Sequence, residues 1–502
     1  MNPVLLCLDS GTTAVKAAAF DGSGRLLAAA ERPNRALRRS AERVEQDMGM
    51  SRQDGFAVLR DCASQLSGPV AGIVVTGQGD GLWPVGEDLE PVGQAMTWLD
   101  GRCRALAGDL AEQGALDEIR LLTGSRPTSA SQSLQLFWLS RNEPERFAKI
   151  RFALRLKEWL FLGLTGKAMA EPSAVLPVWG NWRTGATSRL VEVAIGLNKG
   201  IALLPELAPI DACTAFLSGE AAAEIGIAGR DIPVLLGPGD VQTTLIGLGL
   251  GTRPGVSRAS IFGTSAIHAC HITDAGVVPT EPAGAMVQQF ALGEGYLCFH
   301  PSFNGATLMS HLGRLMAGVP ERSAPHYSDL ILHPFFEPGG ERAPVTTPHA
   351  TGAIFGLTAQ TRPEEIAWAA REALAFVARK SHDMMNAPAG ALSLGGGLAG
   401  DATFASFLAT LLGAKVERTT TGHASLRGLG TIGAKFLLGA SDAEIASWIG
   451  PPDEAIEPGT GPVRDYAMAK YDLFVRLLDA VAPNWEAFSA LRRQAVMKEP
   501  CA

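Results

Sequence analysis

A strand, turn, strand pattern that occurs twice constrains this chain more than any other feature. Val4-Leu5-Leu6-Cys7-Leu8 is a continuous apolar run of strand length, followed by the polar turn Asp9-Ser10-Gly11-Thr12-Thr13. A second run from Ala14 to Phe20 is broken only by Lys16. Past the middle of the chain, Val256 to Phe262, Gly263-Thr264-Ser265 and Ala266 to Cys270 repeat the arrangement. Short apolar runs bounded by turn residues read as buried strands, and two similar hairpins predict two related halves. A length of 502 residues leaves room for two or three domains with full cores.

Gly249-Leu250-Gly251-Thr252-Arg253-Pro254-Gly255 separates the hairpins and is rich enough in glycine and proline to act as a connector or hinge. The expected boundary lies there, giving domains 1–250 and 251–502. Helical spacing at Phe56, Leu59, Ala63 and Leu66, then the apolar Ile73-Val74-Val75, gives α/β alternation. In the second half, Pro363, Glu364 and Glu365 start a helix whose apolar stripe runs from Ile366 to Val377. Ala391-Leu392-Ser393-Leu394 reads as a strand, and helical spacing resumes from Thr403 to Leu412. The last residues, from Gln494, read as frayed.

Composition excludes several classes. The formal net charge is −8, with no basic run interleaved with aromatics, so nucleic acid is not expected as a partner. Seven cysteines without a CxxC pair suit reduced thiols and a cytoplasmic location. No stretch approaches the roughly 20 apolar residues of a membrane helix, so no membrane partner is expected.

Five polar constellations could carry chemistry. In the first hairpin, Gly11, Thr12, Thr13 and Lys16 offer backbone and side-chain donors to a phosphate, and Asp9 could hold Mg²⁺; a self-capped polar hairpin is the plainer reading. Gly263-Thr264-Ser265 gains meaning beside it, since two such hairpins on facing domains can clamp a polyphosphate. Gly395-Gly396-Gly397, between strand and helix, allows close packing of a purine or is an ordinary turn. Gly237-Pro238-Gly239-Asp240 presents a carboxylate that either caps a helix or takes the proton of an attacking hydroxyl. Gln78-Gly79-Asp80 with Trp83, and Thr97-Trp98-Leu99-Asp100-Gly101-Arg102, suit a polyhydroxylated ligand or surround a buried tryptophan. His268 and His271, at i, i+3 on a strand, fall on opposite faces and make a poor zinc pair.

Taken in order, these motifs resemble the FGGY family of carbohydrate kinases over nearly the whole chain. The resemblance also takes in Glu45-Gln46-Asp47, Asn142-Glu143-Pro144, Leu164-Thr165-Gly166, Gly340-Glu341-Arg342-Ala343-Pro344 and Gly352-Ala353-Ile354-Phe355-Gly356-Leu357. It implies an α/β fold of two actin-like (ribonuclease H-like) domains around a central cleft, with ATP and Mg²⁺ as cofactors. Asp240 then matches the catalytic base and shares the metal role with Asp9. Gly11, Thr12, Thr13, Lys16, Gly263, Thr264 and Ser265 fall to the phosphates, and Gly396, Gly397 and Asp401 to the adenosine. Gln78, Asp80, Trp83 and Asp240 fall to the acceptor.

Glycerol kinases carry an Arg-Glu pair where this chain has Gly79-Asp80, and a glutamine where it has Val241. The acceptor loop looks most similar to that of erythritol-kinase-like members. The implied activity is therefore phosphorylation of a primary hydroxyl on a small linear polyol or ketose, in a protein whose assembly allows a homodimer. Two other readings stand beside it: an actin-like assembly protein or sensor without transfer activity, and a kinase of a non-sugar hydroxyl compound.

Overall fold

The computed structural model describes residues 3–496 apart from 280, 323, 338 and 421. Strands β1 (Val4–Ser10), β2 (Ala14–Asp21) and β3 (Leu26–Pro33) form an antiparallel meander, and after helix α1 (Met48–Ala63) strand β4 (Val70–Gly77) lies parallel beside β1. β5 (Gly81–Val85) and β6 (Phe152–Leu154) pair with each other, and helices α2 (Leu156–Thr165) and α3 (Pro172–Trp179) follow. β7 (Thr214–Phe216) and β8 (Pro233–Leu236) complete a six-stranded sheet of order β7-β8-β4-β1-β2-β3. β8 leads into helix α4 (Asp240–Gly247).

The second half repeats the plan. β9 (Val256–Phe262), β10 (Ala266–Ile272), β11 (Met286–Gln289) and β12 (Tyr296–Ser302) are joined by antiparallel pairings, and helix α5 (Pro363–Met384) crosses to β13 (Ala391–Gly396), parallel beside β9. After helix α6 (Ala402–Leu412) come β14 (Val416–Arg418), helices α7 (Ala424–Leu437) and α8 (Asp442–Ile449), and edge strand β15 (Glu454–Ile456). The seven-stranded sheet has the order β11-β12-β10-β9-β13-β14-β15. In each sheet the first hairpin strand has antiparallel partners on one side and parallel strands on the other, as two related halves require.

Sequence explains the central position of β1: Val4 to Leu8 are all buried, which fits a strand covered on both faces rather than one facing water. The expected boundary is a series of turns in which Gly249, Gly251 and Gly255 have positive φ. It is not a clean cut in space. α7, from the second half, packs on β1 and β4, so Leu5, Cys7 and Val74 share a core with Leu426, Leu429 and Ile432. α4 and α7 meet backbone to backbone: a Cβ on Gly428 would lie 1.9 Å from the Thr243 carbonyl oxygen, and one on Gly247 would lie 1.8 Å from that of Ala424.

The six described cysteines are free and buried, while Cys501 lies outside the described residues. His268 and His271 do part company: His268 is buried beside Ser260, and His271 turns to the Glu294 carbonyl. Helix Trp485–Val496 takes in Gln494, so the chain is ordered further than its polar composition suggests. No described helix is long and apolar enough to cross a membrane.

Candidate active site

The site grows from the carboxyl ends of the parallel strands, where open α/β sheets bind ligands. β1 ends at Asp9 and Ser10, β4 ends at Gly77 opposite Ser10, and the turn after β8 is tied to β4 through Thr76 Oγ1, which donates to the Pro238 carbonyl at 2.6 Å. Three residues distant in sequence, Asp9, Asp80 and Asp240, therefore converge.

Asp240 is the first residue of α4, and its side chain makes no cap; Gly239 holds that position. Its Oδ1 instead accepts from the Val241 backbone N–H at 2.9 Å. Gly79 and Gly239 bring two backbones together, and a Cβ on Gly79 would lie 3.8 Å from Asp240 Oδ1. Burial, then the neighbouring Asp9 charge, push the Asp240 carboxyl up to about 7. Asp9 is raised as well, by burial, against the lowering action of a Ser425 hydroxyl that donates to its Oδ2 and of Lys16 nearby. Its Oδ1 is buried without a partner among the described residues.

A buried network steadies the turn that carries Asp240. Lys157 Nζ pairs with Glu171 at 2.8 Å, Glu171 accepts from Ser173 Oγ at 2.8 Å, and Ser173 Oγ accepts from Gly239 N–H at 3.1 Å. Each member is buried, so the turn that carries Asp240 is pinned by groups that cannot relax into water.

The two hairpins present exposed hydroxyls. Thr13 is exposed at the tip of the first, and Thr264 and Ser265 are exposed at the tip of the second. Gly263 closes its turn onto Ser265, and the Thr264 carbonyl accepts from Thr307. Thr12 takes the indole N–H of Trp98 at 3.0 Å, while Lys16 lies 3.8 Å from Glu31 on β3 and close enough to Asp9 to act on its charge. Gly396 is obligatory: its φ is +82° and a Cβ would lie 2.5 Å from the Phe262 carbonyl oxygen. The glycine turn is thus pressed against the second hairpin, with Gly396 and Gly397 exposed beside it.

Several residues depart from their expected roles. Asp401 caps α6, accepting from Thr403 and Phe404 backbone N–H groups, and pairs with Arg371 at 3.0 Å, so both its oxygens are engaged by the fold. The Trp83 ring is fully enclosed in the first core and offers no open face as a platform; only its indole N–H stays without a partner among the described residues. Asp100 and Arg102 bind each other through two contacts of 2.9 and 2.8 Å, which makes the 97–102 segment a brace rather than a ligand loop.

Gln78, in contrast, keeps an unpartnered buried Oε1, and Asp80 has no hydrogen bond to any described residue. Burial raises Asp80, with Arg155 and Arg342 opposing. Sequence reading passed over Ser425, Ser173, Glu171 and Arg155; no local motif marks them, because the networks they belong to reach residues far along the chain.

Two like-built sheets with hydroxyl-bearing hairpins and carboxylates at their strand ends define the two-domain actin-like (ribonuclease H-like) class. A gluconate kinase from Lactobacillus acidophilus has this fold with a TM-score of 0.88, 21% identity, and coverage of 97% of this chain and 100% of that one. The chain belongs to the FGGY family of carbohydrate kinases, whose N-terminal domain matches residues 4–247 and whose C-terminal domain matches residues 304–435. It is a carbohydrate kinase. Similar curated proteins include an erythritol kinase of Brucella abortus, 29% identical over 97% of this chain and 98% of that protein. A glycerol kinase of Rhodospirillum rubrum is 28% identical over 85% and 90%.

Proposed function

We propose that this kinase transfers the γ-phosphoryl group of ATP to a primary hydroxyl of a small linear polyol, with a four-carbon polyol as the leading acceptor and a ketose as the alternative. The convergence of Asp9, Asp80 and Asp240 carries the reading, since it leaves Asp240 with a carboxyl near neutrality, where a general base works best. The likeness to an erythritol kinase along nearly the whole chain supports the four-carbon choice.

In this scheme the acceptor oxygen attacks the γ-phosphorus, its proton passes to Asp240, and ADP leaves with the bridging oxygen. Thr13, Thr264 and Ser265 grip the phosphates, with Gly11, Thr12, Lys16 and Gly263 shaping the hairpins that hold them. Gly396 and Gly397 form the floor for the adenosine, and Asp401 keeps that turn in place through its cap. Gln78 and Asp80 hold acceptor hydroxyls.

Among the described residues no cluster of three or more His, Cys, Asp or Glu could hold a metal ion by itself. Two repelling carboxylates and an unpartnered Asp9 Oδ1 do fit Mg²⁺ that arrives with ATP, because Mg²⁺ takes one or two carboxylates and completes its shell with phosphates and water. Asp9 and Asp240 would hold it, and its charge would offset that of the phosphates.

The test is ADP formation with MgATP across glycerol, erythritol, threitol, xylitol, xylulose and ribulose. Turnover that depends on one of these supports the proposal. ATP hydrolysis indifferent to all of them and coupled to polymerisation would point to the assembly reading instead.

A further inference from the structure

Arg155 sits between β6 and α2, fully enclosed, at 0% exposure. Glu158 holds its backbone N–H at 2.8 Å and its Nη1 at 3.4 Å. Nε and Nη2 have no partner among the described residues. Arg371 shows what an equally enclosed guanidinium looks like when the fold has a use for it: Nε binds Asp401, Nη1 the Ala367 carbonyl and Nη2 the Glu321 carbonyl. A guanidinium stays charged in any protein, and buried donors without acceptors are costly, so the empty side of Arg155 marks a place where a ligand belongs.

What faces it fixes the ligand's chemistry. The Arg155 charge acts on Asp80, yet the two make no ion pair and Asp80 makes no hydrogen bond among the described residues, so a donor and an acceptor stand near each other unjoined. Arg342 faces Asp80 from the second half of the chain, stacked 4.1 Å from the Phe303 ring. Gln78 Oε1, on the turn before β5, is a further buried acceptor without a partner among the described residues. A hydroxyl is both donor and acceptor, so two adjacent hydroxyls satisfy Asp80 and Arg155 together.

We propose that Arg155 is an acceptor-binding residue whose Nε and Nη2 donate to the hydroxyl adjacent to the one held by Asp80, so that the pair reads a vicinal diol. The inference rests on the kinase reading and names a specificity residue of that site. The glycine at position 79 leaves the loop itself without a cationic donor, and Arg155 supplies one from a different element. A site built to donate to a hydroxyl rejects the analogue that lacks it, because its own donors are then left unpaired.

The experiment compares erythritol with 1,4-butanediol, which keeps both primary hydroxyls but has no vicinal diol, in the wild-type protein, Arg155→Lys and Arg155→Met. It uses steady-state kinetics with saturating MgATP and calorimetric titration of polyol without nucleotide. Loss of hydrogen bonds to a charged donor is expected to weaken erythritol binding and kcat/KM by about 10- to 100-fold in Arg155→Met. Arg155→Lys recovers part of the loss, KM for ATP hardly moves, and the ratio of wild type to variant falls toward one with 1,4-butanediol. Equal losses on both polyols, or none, overturn the inference. If Arg155→Met does not fold, Arg155→Lys and the wild-type preference between the two polyols decide it. A wild-type protein that phosphorylates no acceptor refutes the kinase proposal separately, while erythritol binding that weakens only in the Arg155 variants sustains this one.

Discussion

Replacing Asp240 by Asn should cost activity and add stability, and the two effects have one cause. The carboxyl stands at about 7 instead of 3.8 because it is buried beside Asp9. A shift of about 3 units corresponds to about 4 kcal/mol of penalty on the charged form as a ceiling, and solvent at this partly open cleft reduces it to about 1–3 kcal/mol. The folded pKa lies above the unfolded one, so the native state keeps a proton that the unfolded chain has released. Stability linked to Asp240 is complete below about pH 4 and is lost as pH rises to about 7. Asn carries no such penalty. Unfolding entropy of about 2 cal/mol/K per residue makes 1 kcal/mol worth about 1 °C in a chain of this length. Asp240→Asn should therefore melt about 1–3 °C higher than wild type at pH 8, with the gain shrinking toward zero near pH 4.

Activity should fall by about 10²- to 10⁴-fold while ATP binding persists, and the wild-type kcat/KM should decline below pH 7 as the base becomes protonated. Scanning calorimetry across pH, with ADP-coupled rates, reads all of this. An unchanged rate, or a variant that melts below wild type at pH 8, would refute the account of Asp240 as a strained base.

Two further outcomes are expected. Ser425→Ala removes the hydroxyl that holds Asp9 Oδ2 from across the chain, so KM for MgATP should rise by about 3- to 10-fold, with KM for the polyol nearly unchanged; equal shifts in both would count against Asp9 as the nucleotide-side carboxylate. Gly396→Ala places a Cβ 2.5 Å from the Phe262 carbonyl at φ +82°, which should cost about 1–3 kcal/mol of stability and weaken nucleotide binding in equilibrium titrations. A variant with wild-type melting and affinity would show that the turn is looser than drawn.

Local sequence determined a good deal. The continuous apolar run at 4–8 became a central strand because such a run has to be covered on both faces, and the strand-like segment 256–262, which also carries Ser257, Arg258 and Ser260, took the matching place in the second sheet. Pro363 with Glu364 and Glu365 began α5, and Gly395 to Gly397 ended β13 ahead of α6, since proline, first-turn acids and glycine act within a few residues of where they stand. The polar hairpin at 9–13 and the carboxylate at 240 were visible for the same reason.

Only the tertiary structure decided which polar residues face the cleft and which serve the fold. Asp401 and Asp240 look alike in sequence, each acidic and at the start of a helix, yet Asp401 is consumed by a cap and Arg371 while Asp240 makes no cap and no ion pair among the described residues. Arg155 and Arg371 are equally buried, and only their distant neighbours separate a satisfied guanidinium from an empty-handed one. Charge and hydrogen bonding act through space, so the worth of such a side chain depends on what the chain brings back to it: α7 to Asp9, the Glu171–Ser173 pair to Gly239, and the end of β6 to Asp80.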